Sequence, residues 1–508
     1  MFKKILIANR GEIAVRILRA CRELGIRSVA VFSAADRNSL HVRLADEAYC
    51  IGPAPSRESY LCIDKIMSVA RRAGCDAIHP GYGFLAENAA LPRACVDTQI
   101  TFIGPTAEAM ETLGTKTAGR QLARRAEVPT VPGTNDAIED LQQAQELARS
   151  MGYPVLLKAV AGGGGKGMRL VHSAAEFASA FRDASAEALN AFGDASVYLE
   201  KYLETPRHIE IQILADNHGR VVSLGERECS VQRRHQKVIE EAPSPIMTPE
   251  LRKRMGDAAV RLARAGGYTN AGTVEFLVDA HYNLYFLEVN TRLQVEHPVT
   301  EQVTGLDLVK LQIAIAAGHR LPFAWETITP RGHAMEVRLY AEDPGNNFFP
   351  SPGKIISQHQ PSGPGIRVDE GVYEGWTVPM DYDPLLSKLI AWGNSREETI
   401  ARLRRALEEY SITGIKTNIA FFRRILAEPD FLKAEIHTKW LDELLRRSHT
   451  PPNGVHGEDA AAITAAIYQA TSNGASYVKT GSATANTNAE QTESAWKREG
   501  RRQQQERL

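Results

Sequence analysis

The sequence has little cysteine, no excess of either charge and no long apolar run. Its 508 residues contain six cysteines and no C-x-x-C pair, a pattern typical of buried or inert thiols in a reducing compartment, which predicts a cytoplasmic protein. Lysine plus arginine total 60 against 61 aspartate plus glutamate, so net charge favours neither nucleic acid nor an anionic membrane as a partner. No stretch reaches the roughly 18 apolar residues of a membrane span, so we expect no membrane insertion.

The length predicts about three structural units, at roughly 150 residues per domain. The first ten residues carry two lysines before an apolar stretch, but that stretch ends at Asn9 without a small-residue cleavage site, so a secretory signal is not expected. A buried strand at Ile5–Ala8, a helix from Glu12 and a second strand at Ser28–Phe32 form a βαβ unit and predict a parallel sheet. The turn between the first strand and the helix has one glycine, not the three of a dinucleotide-binding motif, so it supports NAD binding only weakly.

A glycine-rich segment follows the strand Val155–Lys158. Gly162–Gly167 includes Lys166, but the next residue is glycine and a strand follows, whereas a Walker loop leads from Lys-Ser/Thr into a helix. Four consecutive glycines inside a strand pair have a high cost in backbone entropy, and a plain linker would give no structural reason for that cost. We therefore expect a flexible β-hairpin lid. The loop His79–Phe84, by residue type alone, is expected to be an ordinary turn.

The most informative segment is a predicted hairpin, Thr273–Asp279 and Leu284–Asn290, joined by four residues. Antiparallel pairing places Glu275 opposite Glu288, and like charges directly opposed destabilise a sheet unless a cation compensates them. If the chain stays extended after Asn290, alternation places five polar groups on one face: Glu288, Asn290, Arg292, Gln294 and Glu296. Carboxylate and amide oxygens suit Mg²⁺ or Mn²⁺ with bound phosphates, although a solvated strand face is the commoner interpretation of such a row.

A second polar cluster runs from Glu226 to Lys237. With Lys116 and Lys158 it offers cations for phosphates, although each lysine alone is typical of a solvated surface. Glu200–Leu203 is expected to follow a strand and to contact an adenine. Farther on, Ala334–Ala341 alternates like a strand and places Arg338 on its polar face, helices are expected from Arg396 to Leu445, and the segment after 450 is expected to be mostly disordered.

Residues 1 to about 446 resemble the biotin carboxylase family, the ATP-grasp component of acetyl-CoA, propionyl-CoA and pyruvate carboxylases. The matching motifs are Lys4–Arg16, His79–Asn88, Lys158 with Gly162–Gly167, Glu226–Lys237 and Phe286–Thr300. The resemblance implies an α/β fold (α+β overall) with a Rossmann-like N-terminal sheet, an ATP-grasp body with a mobile glycine-rich lid, and a β-rich and helical C-terminal domain. The implied units are 1–114, 115–330 with a lid at about 132–203, 331–446, and a tail 447–508.

The resemblance also implies ligand-contacting positions. The nucleotide positions are Lys116, Lys158, Gly164, Gly165, Glu200, Lys201, Leu203, His208, Gln232, His235, Glu275, Leu277 and Glu288. The metal ligands are Glu275, Glu288 and Asn290. The bicarbonate pocket comprises Lys237, Arg292, Gln294, Val295 and Glu296, and the biotin site comprises Tyr82, Gly83 and Arg338. The implied catalytic residues are Glu296 as general base, Arg338 as stabiliser of the biotin enolate, Lys237 and Arg292.

The implied activity is carboxylation of biotin with ATP and bicarbonate through carboxyphosphate. The sequence contains no Ala-Met-Lys-Met biotinylation site, so the expected partners are a separate biotin carboxyl carrier protein and a carboxyltransferase subunit, and the family predicts a homodimer. A short helix at 460–470 is expected to contact another subunit. The alternatives are another ATP-grasp ligase joining a carboxylate to an amine, which has no need of the Arg292–Glu296 extension, and a non-catalytic nucleotide-binding subunit, which could lose Glu296 or Arg338.

Overall fold

The computed structural model describes residues 1–134, 138, 140–159, 168–192, 195–322 and 330–447. Within these ranges it is a mixed α/β structure that begins with a parallel sheet, so the predicted fold class is confirmed. The glycines of the expected lid and the expected helix at 460–470 lie outside the described residues. In the described ranges no helix combines the length and the apolar character that crossing a bilayer requires.

The N-terminal sheet is fully parallel, with strand order β3-β2-β1-β4-β5. Its strands are β1 Lys4–Ile7, β2 Arg27–Ser33, β3 Glu47–Gly52, β4 Ala77–His79 and β5 Thr101–Phe102. Its helices are α1 Gly11–Glu23, α2 Leu40–Leu44, α3 Ile63–Arg72, α4 Ala90–Asp97 and α5 Ala107–Gly114. The strand order reverses between β1 and β4, and in open parallel sheets ligands bind in the crevice at such a point.

A smaller antiparallel sheet follows, in the order β7-β6-β8. Its strands are β6 Val155–Ala159, β7 Met168–Val171 and β8 Val197–Lys201, and the neighbouring helices are α6 Lys116–Arg125, α7 Leu141–Met151 and α8 Ala174–Phe192. The antiparallel β6–β7 pairing confirms the predicted hairpin around the glycine-rich segment. Glu200 and Lys201 lie inside β8, which corrects the expectation that they follow a strand.

The largest sheet has eight strands in the order β13-β12-β9-β10-β11-β14-β21-β19. These strands are β9 Arg207–Ala215, β10 Val221–Arg233, β11 Gln236–Ala242, β12 Asn270–Val278, β13 Leu284–Asn290, β14 His333–Tyr340, β19 Ile366–Glu370 and β21 Leu385–Gly393. The β11–β14 pairing, with Ile239 opposite Val337, joins segments about a hundred residues apart in the chain. One continuous sheet therefore carries polar residues from both segments.

Short strands and helices complete the described chain. The strands are β15 Glu342–Asp343, β16 Phe349–Pro350, β17 Gly353–Lys354, β18 Ser357–His359, β20 Thr377–Val378 and β22 Ser411–Thr413. The helices are α9 Pro249–Ala265, α10 His297–Thr304, α11 Leu308–Ala316, α12 Arg396–Glu409, α13 Ile419–Ile425, α14 Pro429–Leu432 and α15 Trp440–Arg447. The helices predicted from Arg396 to Leu445 are confirmed.

Side-chain alternation gives the large sheet an apolar face and a polar face. On β9 and β12 the apolar residues contact α9 in one core cluster, whose members include Ile209, Ile211, Val274, Phe276 and Met255. On β14 and β21 they contact α12 and α13 in a second cluster. The residues between them on β9 and β12, Glu210 and Glu275, are buried and point to the opposite face. Packing on one face thus forces carboxylates together on the other.

Candidate active site

Three glutamates lie side by side across neighbouring strands. Glu275 on β12 is paired with Glu288 on β13, as predicted, and with Glu210 on β9 on its other side. Glu210 and Glu275 are buried and Glu288 is half-buried. Because opposed like charges destabilise a sheet, this row requires cations.

Lys237 supplies a positive charge to the row. Its Nζ lies 2.5 Å from Glu210 Oε2, 2.7 Å from Glu275 Oε1 and 2.7 Å from Glu296 Oε1. His208 Nε2 lies 2.9 Å from the other oxygen of Glu275. Burial alone would raise the pKa of Glu275, but the charges of Lys237 and His208 hold that pKa below its ordinary value. At Glu275, the protein's own Lys237 and His208 therefore supply the positive charge that the opposed glutamates require.

Glu296 is fully buried between two cations. Its Oε1 accepts from Lys237, and its Oε2 lies 3.0 Å from Arg338 Nη2. The same Arg338 nitrogen lies 2.5 Å from Glu240 on β11. Burial would raise the pKa of Glu296, but Lys237 and Arg338 hold it well below its ordinary value. Burial raises the pKa of Glu240 to about 7, with Glu296 adding to the rise. One guanidinium thus bridges an ionised carboxylate and a carboxyl group that titrates near neutrality.

The polar residues after β13 converge through hydrogen bonds. The strand ends at Asn290 and α10 begins at His297, so the extended conformation does not persist and the prediction from alternation was wrong beyond Asn290. Arg292 donates to Gln294 Oε1 at 2.9 Å and to Asn290 Oδ1 at 3.2 Å. Asn290 and Gln294 donate to Glu275 Oε1 at 2.8 and 3.3 Å. The side chains therefore meet because a folded segment brings them to Glu275.

The expected nucleotide positions on the small sheet include an ion pair. Lys158 Nζ lies 2.5 Å from Glu200 Oε2, and Arg120 of α6 also pairs with Glu200. Lys201 Nζ instead donates to the Gly152 carbonyl oxygen at 2.8 Å. Leu203 is half-buried just beyond β8. Lys116 is the first residue of α6, but its side chain, like Gly164 and Gly165, is outside the described part.

The remaining expected nucleotide positions lie on the large sheet. His208 Nδ1 lies 2.9 Å from Gln232 Nε2, and Leu277 is the cross-strand neighbour of His208. Glu275 raises the pKa of His208 above its ordinary value against the opposing effect of burial. His235 is exposed in the two-residue turn between β10 and β11, so the structure does not bring it into the buried cluster.

The loop after β4 lies at the point where the parallel sheet reverses its order. Asn9, which follows β1, donates to the carbonyl oxygens of Pro80 and Tyr82 at 2.6 and 2.7 Å. Gly83 has φ +70°, a conformation that favours glycine. The Tyr82 ring centroid lies 5.8 Å from Lys388 Nζ. Residue type alone predicted an ordinary turn, but the loop is held by hydrogen bonds from Asn9 at the end of β1.

Sequence reasoning missed several buried partners of the site. Glu210 alternates with Ile209 and Ile211 on β9, which was an available signal. Glu240 follows Ile239 on β11 but precedes Glu241, so alternation did not single it out. Arg227 is fully buried, contacts Glu210, and donates to Gln212 and Thr273. Glu87 lies within the motif His79–Asn88, where it accepts from Arg292 Nε at 2.9 Å and from the Thr291 amide at 3.1 Å.

Three family models match consecutive parts of the chain: "Biotin carboxylase, N-terminal domain" at residues 1–110, "Carbamoyl-phosphate synthase L chain, ATP binding domain" at 115–324, and "Biotin carboxylase C-terminal domain" at 336–443. A pyruvate carboxylase subunit of Methanothermobacter thermautotrophicus is 56% identical over 447 residues, which are 88% of this chain and 91% of that protein. Biotin carboxylase of Nostoc sp. is 54% identical over 443 residues, 87% of this chain and 99% of that protein.

A solved structure is also similar. The biotin carboxylase domain dimer of Hydrogenobacter thermophilus 2-oxoglutarate carboxylase, solved with MgADP, ADP and bicarbonate, matches with a TM-score of 0.82 and 48% identity, covering 87% of this chain and 98% of that one. Sequence identity at this level over most of both chains establishes common ancestry. The chain therefore belongs to the biotin carboxylase family and is an enzyme that uses ATP to carboxylate biotin.

Proposed function

We propose that the chain carboxylates biotin presented on a carrier protein, using bicarbonate and MgATP. The single observation that carries this proposal is the convergence of Lys237 and Arg338 on Glu296, next to the glutamate row. These residues suit three tasks: holding an anionic one-carbon substrate, accepting its proton and stabilising negative charge on the acceptor.

Bicarbonate is proposed to lie against Lys237, Arg292, Gln294 and the Val295 backbone, with Glu296 as base. A bicarbonate oxygen attacks the γ-phosphorus, its proton passes to Glu296, and ADP leaves. Because Lys237 and Arg338 lower the pKa of Glu296, this carboxylate is in the ionised form that an accepting base requires, while the same two cations lower its basicity. The resulting carboxyphosphate breaks into CO₂ and phosphate, and that phosphate takes the proton of the biotin ureido nitrogen, which attacks CO₂.

Biotin is proposed to lie between Tyr82, Gly83 and Arg338. Loss of the ureido proton leaves negative charge on the biotin oxygen, and the guanidinium of Arg338 would stabilise that charge. Arg338 remains charged because Glu240 and Glu296 raise its pKa well above the ordinary value, against the opposing effect of burial. Arg338 would therefore act in both steps: it holds Glu296 ionised while carboxyphosphate forms, and it stabilises the charge on biotin during carboxylation.

ATP is proposed to lie between the expected nucleotide positions on the small sheet and those on the large sheet. Lys116 and Lys158 would hold phosphate oxygens, with Gly164 and Gly165 covering them. The remaining contacts are assigned to Glu200, Lys201, Leu203, His208, Gln232, His235 and Leu277. The Lys158–Glu200 ion pair supports this placement because it fixes a lysine on the strand next to the glycine-rich segment.

Glu275, Glu288 and Asn290 fit a divalent cation by the chemistry of their donors. Two carboxylates on adjacent strands with a nearby amide oxygen form a hard-oxygen set of the kind Mg²⁺ prefers. When bound, the ion would neutralise charge on the ATP phosphates. Lys237 and His208 hold the Glu275 carboxylate in place, and Asn290 donates to the same carboxylate.

The proposed units are 1–114, 115–330, 331–446 and 447–508, and the three family matches support the first three. We further propose that the carrier and the carboxyltransferase are other polypeptides, since the methanogen relative is itself named as one subunit of a pyruvate carboxylase. A homodimer is proposed from the dimer of the Hydrogenobacter domain.

The test is ATP cleavage that depends on bicarbonate and increases with free biotin. We expect Glu296→Gln to keep MgATP affinity within about twofold while lowering biotin carboxylation at least about a hundredfold, the usual cost of removing a positioned base. Lys253→Met, which changes an exposed lysine paired with Asp257, is the matched control and should retain activity. Wild-type ATP cleavage that ignores bicarbonate but responds to an amine would instead support another ATP-grasp ligase.

A further inference from the structure

Lys388 is a fully buried lysine to which neither motif nor spacing gave a role. It lies on β21 in the interior of the large sheet, where its cross-strand neighbours are Arg338 on β14 and Asp369 on β19. Burying an ammonium group is costly unless charges and hydrogen bonds compensate it. The contacts of the Lys388 ammonium group therefore indicate the role of its charge.

The ammonium of Lys388 joins three separate segments. Its Nζ donates to the Val295 carbonyl oxygen at 2.8 Å, lies 3.3 Å from Glu12 Oε1 on α1, and lies 5.8 Å from the ring centroid of Tyr82. The shortest of these contacts is the one to the peptide immediately before Glu296. Lys388 thus reaches a backbone atom of the proposed bicarbonate pocket and a side chain of the proposed biotin site.

The segment between β13 and α10 depends on side chains for its position. Residues 291–296 lie outside any strand or helix, so no ladder of backbone hydrogen bonds fixes them. Glu87 holds its start through the Thr291 amide, and Lys388 holds its end through the Val295 carbonyl. A charged donor makes a stronger hydrogen bond than a neutral one, which suits a peptide that must not move during proton transfer.

The alternative role for Lys388 is to compensate the charge of Glu12. Its carboxylate is buried, and burial raises its pKa to about 7, while Lys388 opposes the rise. If Lys388 existed only to compensate Glu12, replacing both residues by neutral ones would remove the need for either. If Lys388 exists to hold Val295, the same double replacement would leave the pocket loose. The two roles therefore predict different behaviour in one variant.

We propose that Lys388 is a positioning residue that fixes the Val295–Glu296 peptide and so sets the geometry of the bicarbonate pocket. The inference rests on the proposed roles of Val295 and Glu296. Lys388 touches neither bicarbonate nor ATP in this scheme; it acts through the backbone carbonyl.

The experiment compares Lys388→Met, Glu12→Gln and the double variant in bicarbonate-dependent ATP cleavage. We expect Lys388→Met to raise the KM for bicarbonate at least about tenfold, equivalent to about 1.4 kcal/mol, and to leave MgATP affinity within about twofold. Glu12→Gln keeps the Lys388–Val295 contact and should have the smaller effect. Against the effect of burial, Lys388 also lowers the pKa of Glu336 and Asp369, so the double variant relieves the lost charge only at Glu12, and it should keep the raised KM.

Recovery of a normal bicarbonate KM in the double variant would overturn the inference, because Lys388 would then only compensate Glu12. An equal loss of MgATP affinity would also overturn it, since the defect would not be local to the pocket. The double variant decides the question even if Lys388→Met does not fold. Bicarbonate-independent turnover by the wild-type chain would instead refute the proposed function itself.

Discussion

Replacing Lys237 by methionine tests the electrostatics of the site most directly. The substitution removes one ammonium group that lies 2.5–2.7 Å from three carboxylates, those of Glu210, Glu275 and Glu296. Methionine keeps most of the side-chain volume, so the change is mainly one of charge. The expected result is a less stable protein at neutral pH, with a stability deficit that shrinks in acid.

The magnitude follows from the cations that remain. Removing one partner of a buried ion pair costs about 3–5 kcal/mol, because the other charge stays buried and unpaired. Here each carboxylate keeps one other cation: Arg227 for Glu210, His208 for Glu275 and Arg338 for Glu296. We therefore expect the lower end, a loss of about 3 kcal/mol in the free energy of unfolding at pH 7.5.

The pH dependence has a definite sign. In the wild type, Lys237 helps to hold the pKa values of Glu275 and Glu296 below normal, so that stabilisation is present above the unfolded-state pKa and is lost only as the pH falls through the folded-state values. In the variant we expect the pKa values of these carboxylates to rise, because burial raises them and the opposing charge of Lys237 is gone. The folded variant then gains a proton, and stability, as the pH falls from 7.5 to 5. The deficit should shrink by at least about 1 kcal/mol, since each pH unit of one-proton uptake contributes about 1.4 kcal/mol.

The assay is urea unfolding followed by tryptophan fluorescence at both pH values. Lys253→Met is the control. The ion pair of Lys253 with Asp257 is exposed, so its loss should change the free energy of unfolding by less than about 0.5 kcal/mol. A deficit below about 1 kcal/mol at pH 7.5, or one that does not change between the two pH values, would refute the electrostatic account of the glutamate row.

Two further predictions concern ligands. Arg338→Ala should lower biotin carboxylation at least about a hundredfold with MgATP affinity unchanged, because the side chain is assigned to charge stabilisation on biotin; an equal loss of nucleotide affinity in calorimetry would contradict that role. Glu288→Gln should weaken nucleotide binding in the presence of Mg²⁺ at least about tenfold but leave binding without Mg²⁺ unchanged, since it removes one charged ligand. An identical change with and without Mg²⁺ would show that Glu288 does not contact the metal.

Local patterns predicted the parts of the site that lie close together in the chain. The four-residue connection of the β12–β13 hairpin placed Glu275 opposite Glu288, and the structure confirms that pair. The register shifts by one residue between Glu275 and Phe276, which hairpin arithmetic cannot detect because a bulge depends on packing. The same limit explains Arg292 and Gln294: they do meet Asn290, but through a folded segment that alternation did not foresee.

The sequence by itself determined which residues carry charge, the parallel N-terminal sheet and the two hairpins, because hydrophobic period and turn length are local properties. Only the tertiary structure decided that Lys237 and Arg338 share Glu296 and that Lys388 reaches Val295. Those contacts depend on β11 pairing with β14 and on β14 pairing with β21. The order of distant strands is fixed by burying the apolar face against α9 and α12 as a whole, and no short window of sequence contains that information.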